Sequence, residues 1–291
     1  MRPKLKGTFA PPDTFRYGLR VLEEALLAFL PYLRIPPLRI GPVSIEPFGV
    51  LAALGVYLAS VLLVRRARDE GLDPAPLTSF ATWALLGGIV GGHLVHLFLY
   101  HPEELRSGGI LQLLKVWDGL SSTGGVLGGL AAGALFFRRQ GLSFIRYGDV
   151  FALSVAPGWA VARLGCFAVH DHPGVRTGFP LGVLFPDGPR HDLGLYDALL
   201  LAAITVVLYA LRRRGALRGS LLAVLALLYG AGRFALDFLR ARDLPYVDAR
   251  YLGLTPAQYF CAALVLYGTG ALLRRRARDP SMPLDTRSPA R

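Results

Sequence analysis

Two arginines stand inside stretches that are otherwise apolar, Arg163 in RLGCFAVHDHPG and Arg233 in YGAGRFALDFLR. A charged side chain at the centre of a membrane helix costs about 2.5–3.5 kcal/mol on insertion scales, so such residues face a cavity or a partner rather than lipid. A planar fork of donors fits a phosphate or carboxylate, and the guanidinium keeps its charge in a poorly hydrated chamber. Two of them on one side therefore point to an anion site. The competing arrangement is pairing within the chain, Arg163 with Asp149 or Asp171 and Arg233 with Asp237 one helical turn on.

A second group of candidates follows Arg163 directly. His170, Asp171 and His172 precede Pro173-Gly174, and His191-Asp192 stands before the next apolar run. Histidine titrates near neutrality and can take a proton from a thiol or hydroxyl, with a carboxylate fixing its tautomer. Interfacial histidines that only bind water or lipid are the plain alternative. His170, His172 and His191 could supply three nitrogens to a metal, but H-x-H has no recognised second half here, so no metal is expected. Glycines crowd at 87, 88, 91 and 92 and again at 124, 125, 128 and 129. In a membrane, small residues let helix backbones approach. A functional role for Gly124 and Gly125 would be to let a lipid headgroup reach bare backbone.

The elements that must position these residues are membrane spans. The 291-residue chain is 53% hydrophobic, and its long apolar runs lack the polar stripe of soluble helices. About 20 apolar residues cross a hydrocarbon core. Spans are expected at about 46–64, 80–100, 118–137, 148–168, 195–211, 219–239 and 255–273. The fold class is thus an all-α polytopic membrane protein of about seven transmembrane helices, with an N-terminal interfacial helix and a polar cavity on the periplasmic side. Residues 1–44 form a basic segment with that interfacial helix over 17–35, and 38–47 hold a short extended piece. Residues 45–274 form the membrane domain, and 275–291 a disordered basic tail.

Charge sets the orientation. The net charge of +12 lies in arginine blocks at the ends of apolar segments, not on one helical face, which argues against a nucleic-acid partner. One set of alternate loops, with the tail, carries sixteen Lys or Arg and the other seven, which places the C-terminus in the cytoplasm of a multi-pass inner-membrane protein. Seven basic residues before the first span pull mildly the other way. No cleavable signal peptide is recognised at the N-terminus. Cys166 and Cys261 are far apart and form neither a disulfide framework nor a C-x-x-C site.

Taken in order, IGPVSIEPFGVLAALG, GGHLVHLFLYHPEEL, VWDGLSSTGGVLGG, RLGCFAVHDHPG, RHDLGLYDALL and LYGAGRFALDFLR resemble the successive segments of the prolipoprotein diacylglyceryl transferase family, from about Leu38 to Arg274. The resemblance implies transfer of the diacylglyceryl group of phosphatidylglycerol to the lipobox cysteine of a lipoprotein precursor's signal peptide. It also implies lateral entry of membrane lipid and two essential arginines on the phosphate, with no cofactor. Arg163 and Arg233 match those arginines, Gly174 the last glycine of the signature, and Tyr229 and Asp237 the polar neighbours of Arg233, with aspartate where glutamate is usual.

Four positions depart from the pattern: Thr123 stands where the family has the histidine of HGG, Phe48 where it has tyrosine, His93 where it has arginine, and Cys166 where it has asparagine. Because a thiol with pKa about 8.5 needs help to ionise at neutral pH, His170 or His172, held by Asp171, is expected to replace the lost base. Thr123, Gly124, Gly125, His191, Tyr196 and Tyr229 are candidate substrate contacts. A relative using another acceptor or lipid, a non-catalytic lipid-binding or transport protein, and a metal-dependent hydrolase are the alternatives.

Overall fold

The computed structural model describes residues 29–41, 43–116, 119–245 and 247–278. The expected interfacial helix lies mostly outside these residues. The described part of that stretch is not helical, since Leu30–Pro31 is a strand, β1. The extended piece before the first span is a hairpin, β2 (Leu38–Ile40) against β3 (Val43–Ile45).

The helices are α1 (Pro47–Asp69), α2 (Ala75–Val95, continued by a π-turn at His96–Tyr100), the short α3 (Pro102–Gly108), α4 (Ser122–Arg139) and α5 (Gly148–Val169). After a small sheet come α6 (Leu193–Arg213), α7 (Leu221–Leu236, extended by a 3-10 turn to Leu239) and α8 (Pro256–Arg278). Six of these are long and apolar enough to cross a membrane: α1, α2, α5, α6, α7 and α8 with their short extensions. The expected span at 118–137 is α4, which starts four residues later and is not among the six, because its 18 residues carry several glycines and end in two arginines. The last helix runs through Arg278, past the boundary expected at 274.

Helix α5 is the centre of the bundle. Of its most apolar window 56% is buried, against 11% for α1, so α1 meets lipid over most of its surface while α5 meets protein. Val206, Leu266 and Tyr57, each about 70% exposed, face outward on the long helices, where only lipid can solvate them. Leu153 of α5, Leu201, Ile204 and Leu208 of α6, and Leu221 and Tyr229 of α7 form one apolar cluster. Phe80, Phe137, Tyr147 and Phe151 form a second.

Glycine sets how closely the outer helices approach. Helix α4 runs antiparallel to α2, with Gly91 against Gly124 and Gly128, and Phe80 against Gly133. A Cβ on Gly91 would lie 2.6 Å from the Gly124 carbonyl oxygen, and one on Gly128 would lie 2.8 Å from the Gly91 Cα. Gly55 of α1 and Gly158 of α5 make a similar crossing.

The chain between α5 and α6 folds into a sheet, which the helical periodicity did not foreshadow. Its order is β1-β5-β6-β4, where β4 is Pro173–Arg176, β5 Val183–Phe185 and β6 Gly188–Asp192. Only the β1–β5 pair is parallel. The sheet caps the bundle at the end that holds Arg163 and Arg233. At the opposite end Arg212 pairs with Glu70, Asp149 accepts from the backbone N–H groups of Gly219 and Leu221, and Arg275 donates to the Arg218 carbonyl. Asp149 is therefore a partner of the turn before α7, not of Arg163.

Gly128→Val should destabilise the protein by about 1–3 kcal/mol through overpacking of the α2–α4 contact. Gly49→Ala, where an added Cβ meets nothing within 4 Å, should be neutral. Thermal unfolding of both variants in detergent checks the pair.

Candidate active site

The two intramembrane arginines meet. Arg163 comes from the last two turns of α5 and Arg233 from the last turn of α7, and both are under 5% exposed. They are joined by Asp197 of α6, whose Oδ2 lies 3.3 Å from Arg163 Nε and 3.2 Å from Arg233 Nε. Asp197 is also buried, and neither of its oxygens accepts an aligned hydrogen bond, so charge rather than hydrogen bonding holds it. It sits beside the Nε of each guanidinium and neutralises part of their joint charge. Arg233 Nη1 is 3.0 Å from Asp237, as the i, i+4 spacing anticipated. Asp237 is also shared by Arg240 and by the Thr255 hydroxyl, which ties the end of α7 to the start of α8.

A narrow crevice joins the two arginines. Thr123, Trp159, Arg163, Tyr229, Arg233 and Cys261 are among its lining residues. The Tyr229 ring lies against Trp159, with centroids 4.5 Å apart. The Thr123 hydroxyl, at the start of α4, is 3.4 Å from the Tyr100 hydroxyl at the end of α2. The lead-in to α4 is held by His93. This buried imidazole places Nε2 2.9 Å from the Gln112 carbonyl and Nδ1 3.2 Å from the Gly119 carbonyl. Each ring nitrogen thus faces a backbone carbonyl, and the ring bridges the Gln112 turn to the start of α4.

The loop histidines separate into three environments. His170 ends α5 in the left-handed conformation, φ 51° and ψ 44°, a region in which histidine is enriched among non-glycine residues. Its Nδ1 is 2.6 Å from Asp192, and its ring stacks on Tyr32 and meets Phe167 and Phe185. The partner expected for it was Asp171, but Asp192 holds it instead, across the turn from β6 into α6. Burial pushes the Asp192 carboxyl up, against the hydrogen bonds from His170 and from the backbone of Leu195. His170 thus locks the sheet to α5.

Asp171 and His172 follow the turn that His170 makes, and they fold back over the last turn of the helix. His172 Nδ1 lies 3.0 Å from Asp171 Oδ1. One ligand-bearing atom from each of Cys166, Asp171 and His172 lies within 4.8 Å of the other two. Cys166 Sγ in turn is 3.4 Å from Arg163 Nη1. The chain His172, Asp171, Cys166, Arg163 therefore leads from the surface to the buried arginine. His191 does not join it. Its Nδ1 is 2.9 Å from the Tyr196 hydroxyl, which donates to the Leu181 carbonyl, and burial pushes the His191 pKa down.

Several expected substrate contacts are occupied by packing. A Cβ on Gly124 would lie 2.3 Å from the Gly91 carbonyl oxygen, so Gly124 serves the α2–α4 contact, while one on Gly125 would lie 3.7 Å from the Gly88 carbonyl oxygen, an ordinary contact on the same face. A Cβ on Gly174 would lie 2.7 Å from the Leu239 carbonyl oxygen and 2.8 Å from His191 Cβ. Gly174 therefore lets the sheet close on the end of α7. The His191–Tyr196 pair braces the sheet. Arg190, buried in that sheet, is spanned by Asp187 and Asp243 and offers no second anion site; its hydrogen bonds hold the Asp243 carboxyl down at about 2.

Asp197 was missed in the sequence. Its signal was a carboxylate one turn inside an apolar helix, and a buried cation elsewhere requires such a partner. Asp197→Ala leaves two like charges buried together, and removal of one partner from a buried ion pair costs about 3–5 kcal/mol. Unfolding midpoints should fall accordingly, with a smaller fall in Asp197→Glu.

Residues 37–274 match the family model described as prolipoprotein diacylglyceryl transferase. The phosphatidylglycerol–prolipoprotein diacylglyceryl transferase of Pseudomonas paraeruginosa is 31% identical over 263 residues, covering 87% of this chain and 98% of that protein. The protein of the same name from Azotobacter vinelandii is 32% identical over 265 residues, covering 86% and 98%. That from Nitratidesulfovibrio vulgaris is 31% identical over 248 residues, covering 82% and 94%. With the family model matched from the first hairpin to the last helix, the chain belongs to the prolipoprotein diacylglyceryl transferase family.

Proposed function

We propose that this protein transfers the diacylglyceryl group of phosphatidylglycerol to the lipobox cysteine thiol of a lipoprotein precursor's signal peptide. The observation that carries the reading is the pair of buried guanidiniums, Arg163 and Arg233, joined by Asp197 and lining one crevice inside apolar helices. Phosphatidylglycerol enters from the membrane with its phosphate against these two side chains. The thiolate attacks the glycerol carbon that carries the phosphate, a C–S bond forms, and the C–O bond to phosphate breaks. Glycerol phosphate leaves.

Charge explains why this arrangement accelerates the reaction. The phosphodiester carries one negative charge and the departing monoester gains a second, so two fixed guanidiniums bind the transition state more strongly than the ground state. Tyr229, beside both arginines, orients the headgroup, and Asp237 fixes Arg233. The thiol must lose its proton, and Thr123 cannot accept it. His172, held by Asp171 and leading through Cys166 to Arg163, is the base; His170 is committed to Asp192.

Orientation follows from the arginine blocks, which put the crevice at the periplasmic end of an inner-membrane protein and the C-terminus in the cytoplasm. One observation favours another acceptor: Thr123, not histidine, faces the crevice. Complementation of a strain depleted of its own diacylglyceryl transferase separates the two, since only the lipoprotein enzyme restores maturation.

Four replacements test the mechanism by thioether formation on a lipobox peptide. Arg163→Lys and Arg233→Lys should each slow turnover by about 10²–10³-fold, the scale of losing one oxyanion donor. His172→Ala should slow it by about 10²–10⁴-fold, the scale of losing a general base. His170→Ala should lower stability while leaving turnover per folded molecule close to the parent. Undiminished activity in His172→Ala would reject the relocated base.

A further inference from the structure

The turn after α5 brings together three side chains of unlike chemistry. His170 reverses the chain at the helix end, and the Asp171 N–H returns to the Cys166 carbonyl at 3.4 Å. This places the Cys166 thiol, a carboxylate oxygen of Asp171 and a ring nitrogen of His172 within 4.8 Å of one another. The set of one sulfur, one nitrogen and one oxygen is that of a borderline-soft divalent cation, and tetrahedral zinc holds such atoms about 3.3–3.6 Å apart. Cys166 is buried, but Asp171 is exposed and His172 half-buried, so their side chains can close the remaining distance and leave a path to solvent. Arg163 Nη1, 3.4 Å from the sulfur, provides the outer hydrogen bond that metal-bound thiolates accept.

We propose that Cys166, Asp171 and His172 form an inhibitory zinc site beside Arg163, at the C-terminal end of α5. On binding, the Cys166 thiol gives its proton to solvent and a sulfur–zinc bond forms. His172 donates its ring lone pair, Asp171 donates a carboxylate oxygen, and water fills the fourth position. No oxidation occurs. The consequence for the reaction rests on the reading that His172 is the base: with its nitrogen on zinc it accepts no proton, and Arg163 is drawn toward a negative sulfur instead of toward phosphate. Zinc therefore stops transfer reversibly, and a chelator restores it. The site regulates the reaction and is not a cofactor site.

Cobalt(II), which replaces zinc in such sites and absorbs light, tests this without reference to activity. Titration of the detergent-solubilised full chain should give one cobalt per chain, with a near-ultraviolet sulfur-to-cobalt charge-transfer band and the visible bands of tetrahedral cobalt, all displaced by zinc. Cys166→Ser and His172→Gln should each lose the charge-transfer band or weaken binding at least tenfold, while eluting as the parent does on size exclusion. Cys261→Ser should keep the band. Absence of a thiolate band, or its survival in Cys166→Ser, overturns the site. If the cobalt signature appears but zinc leaves turnover unchanged, the ligands stand and the regulatory role is overturned. Inactivity of His172→Ala without added metal concerns the base alone, so the two readings fail separately.

Discussion

Two positive charges cannot be buried side by side in an apolar bundle without a negative one between them. Asp197 is that charge, and the geometry around it follows from the need to keep it there. Arg163 and Arg233 belong to different helices, and the carboxylate belongs to a third, so the ion triad fixes the relative rotation of α5, α6 and α7. Asp237 extends the same constraint to Arg240 and Thr255, at the end of α7 and the start of α8. Buried and fixed in this way, the pair of guanidiniums has little to reorganise when charge develops on a leaving phosphate.

The rest of the bundle makes that fixed arrangement possible. Glycine crossings between α1 and α5 and between α2 and α4 bring backbones together, so the crevice is narrow and the arginines stay out of lipid. The sheet between α5 and α6 closes the end of the bundle, and His170 with Asp192 fastens it to the helix that carries Arg163. Two tasks given in sequence to one run of histidines are thus divided in space. His170 builds the turn, and the turn carries Asp171 and His172 to Cys166.

How far the sequence could be read depended on the range of each interaction. The long helices were legible because lipid leaves no polar stripe. Arg163 and Arg233 were legible because an arginine inside such a helix needs a reason. The i, i+4 pairing of Arg233 with Asp237 could be read from spacing alone. Asp197 could not, since its two partners lie on other helices, 34 and 36 residues away, and only its place inside an apolar helix marked it. Nor could Asp192, which meets His170 only through the sheet, 22 residues later. The strands, at two to five residues each, are too short for alternation to register. Gly124 and Gly125, expected as lipid-headgroup contacts, have the Gly91 and Gly88 carbonyls opposite them, a long-range pairing of α2 with α4 that spacing within one helix does not reveal.

The measurement that bears most directly on the paired guanidiniums is an experimental structure with a short-chain phosphatidylglycerol bound. Phosphate density is expected in contact with both Arg163 and Arg233, with Asp197 still beside their Nε groups. Phosphate resting elsewhere while the Arg163–Asp197–Arg233 triad remains closed and dry would contradict it.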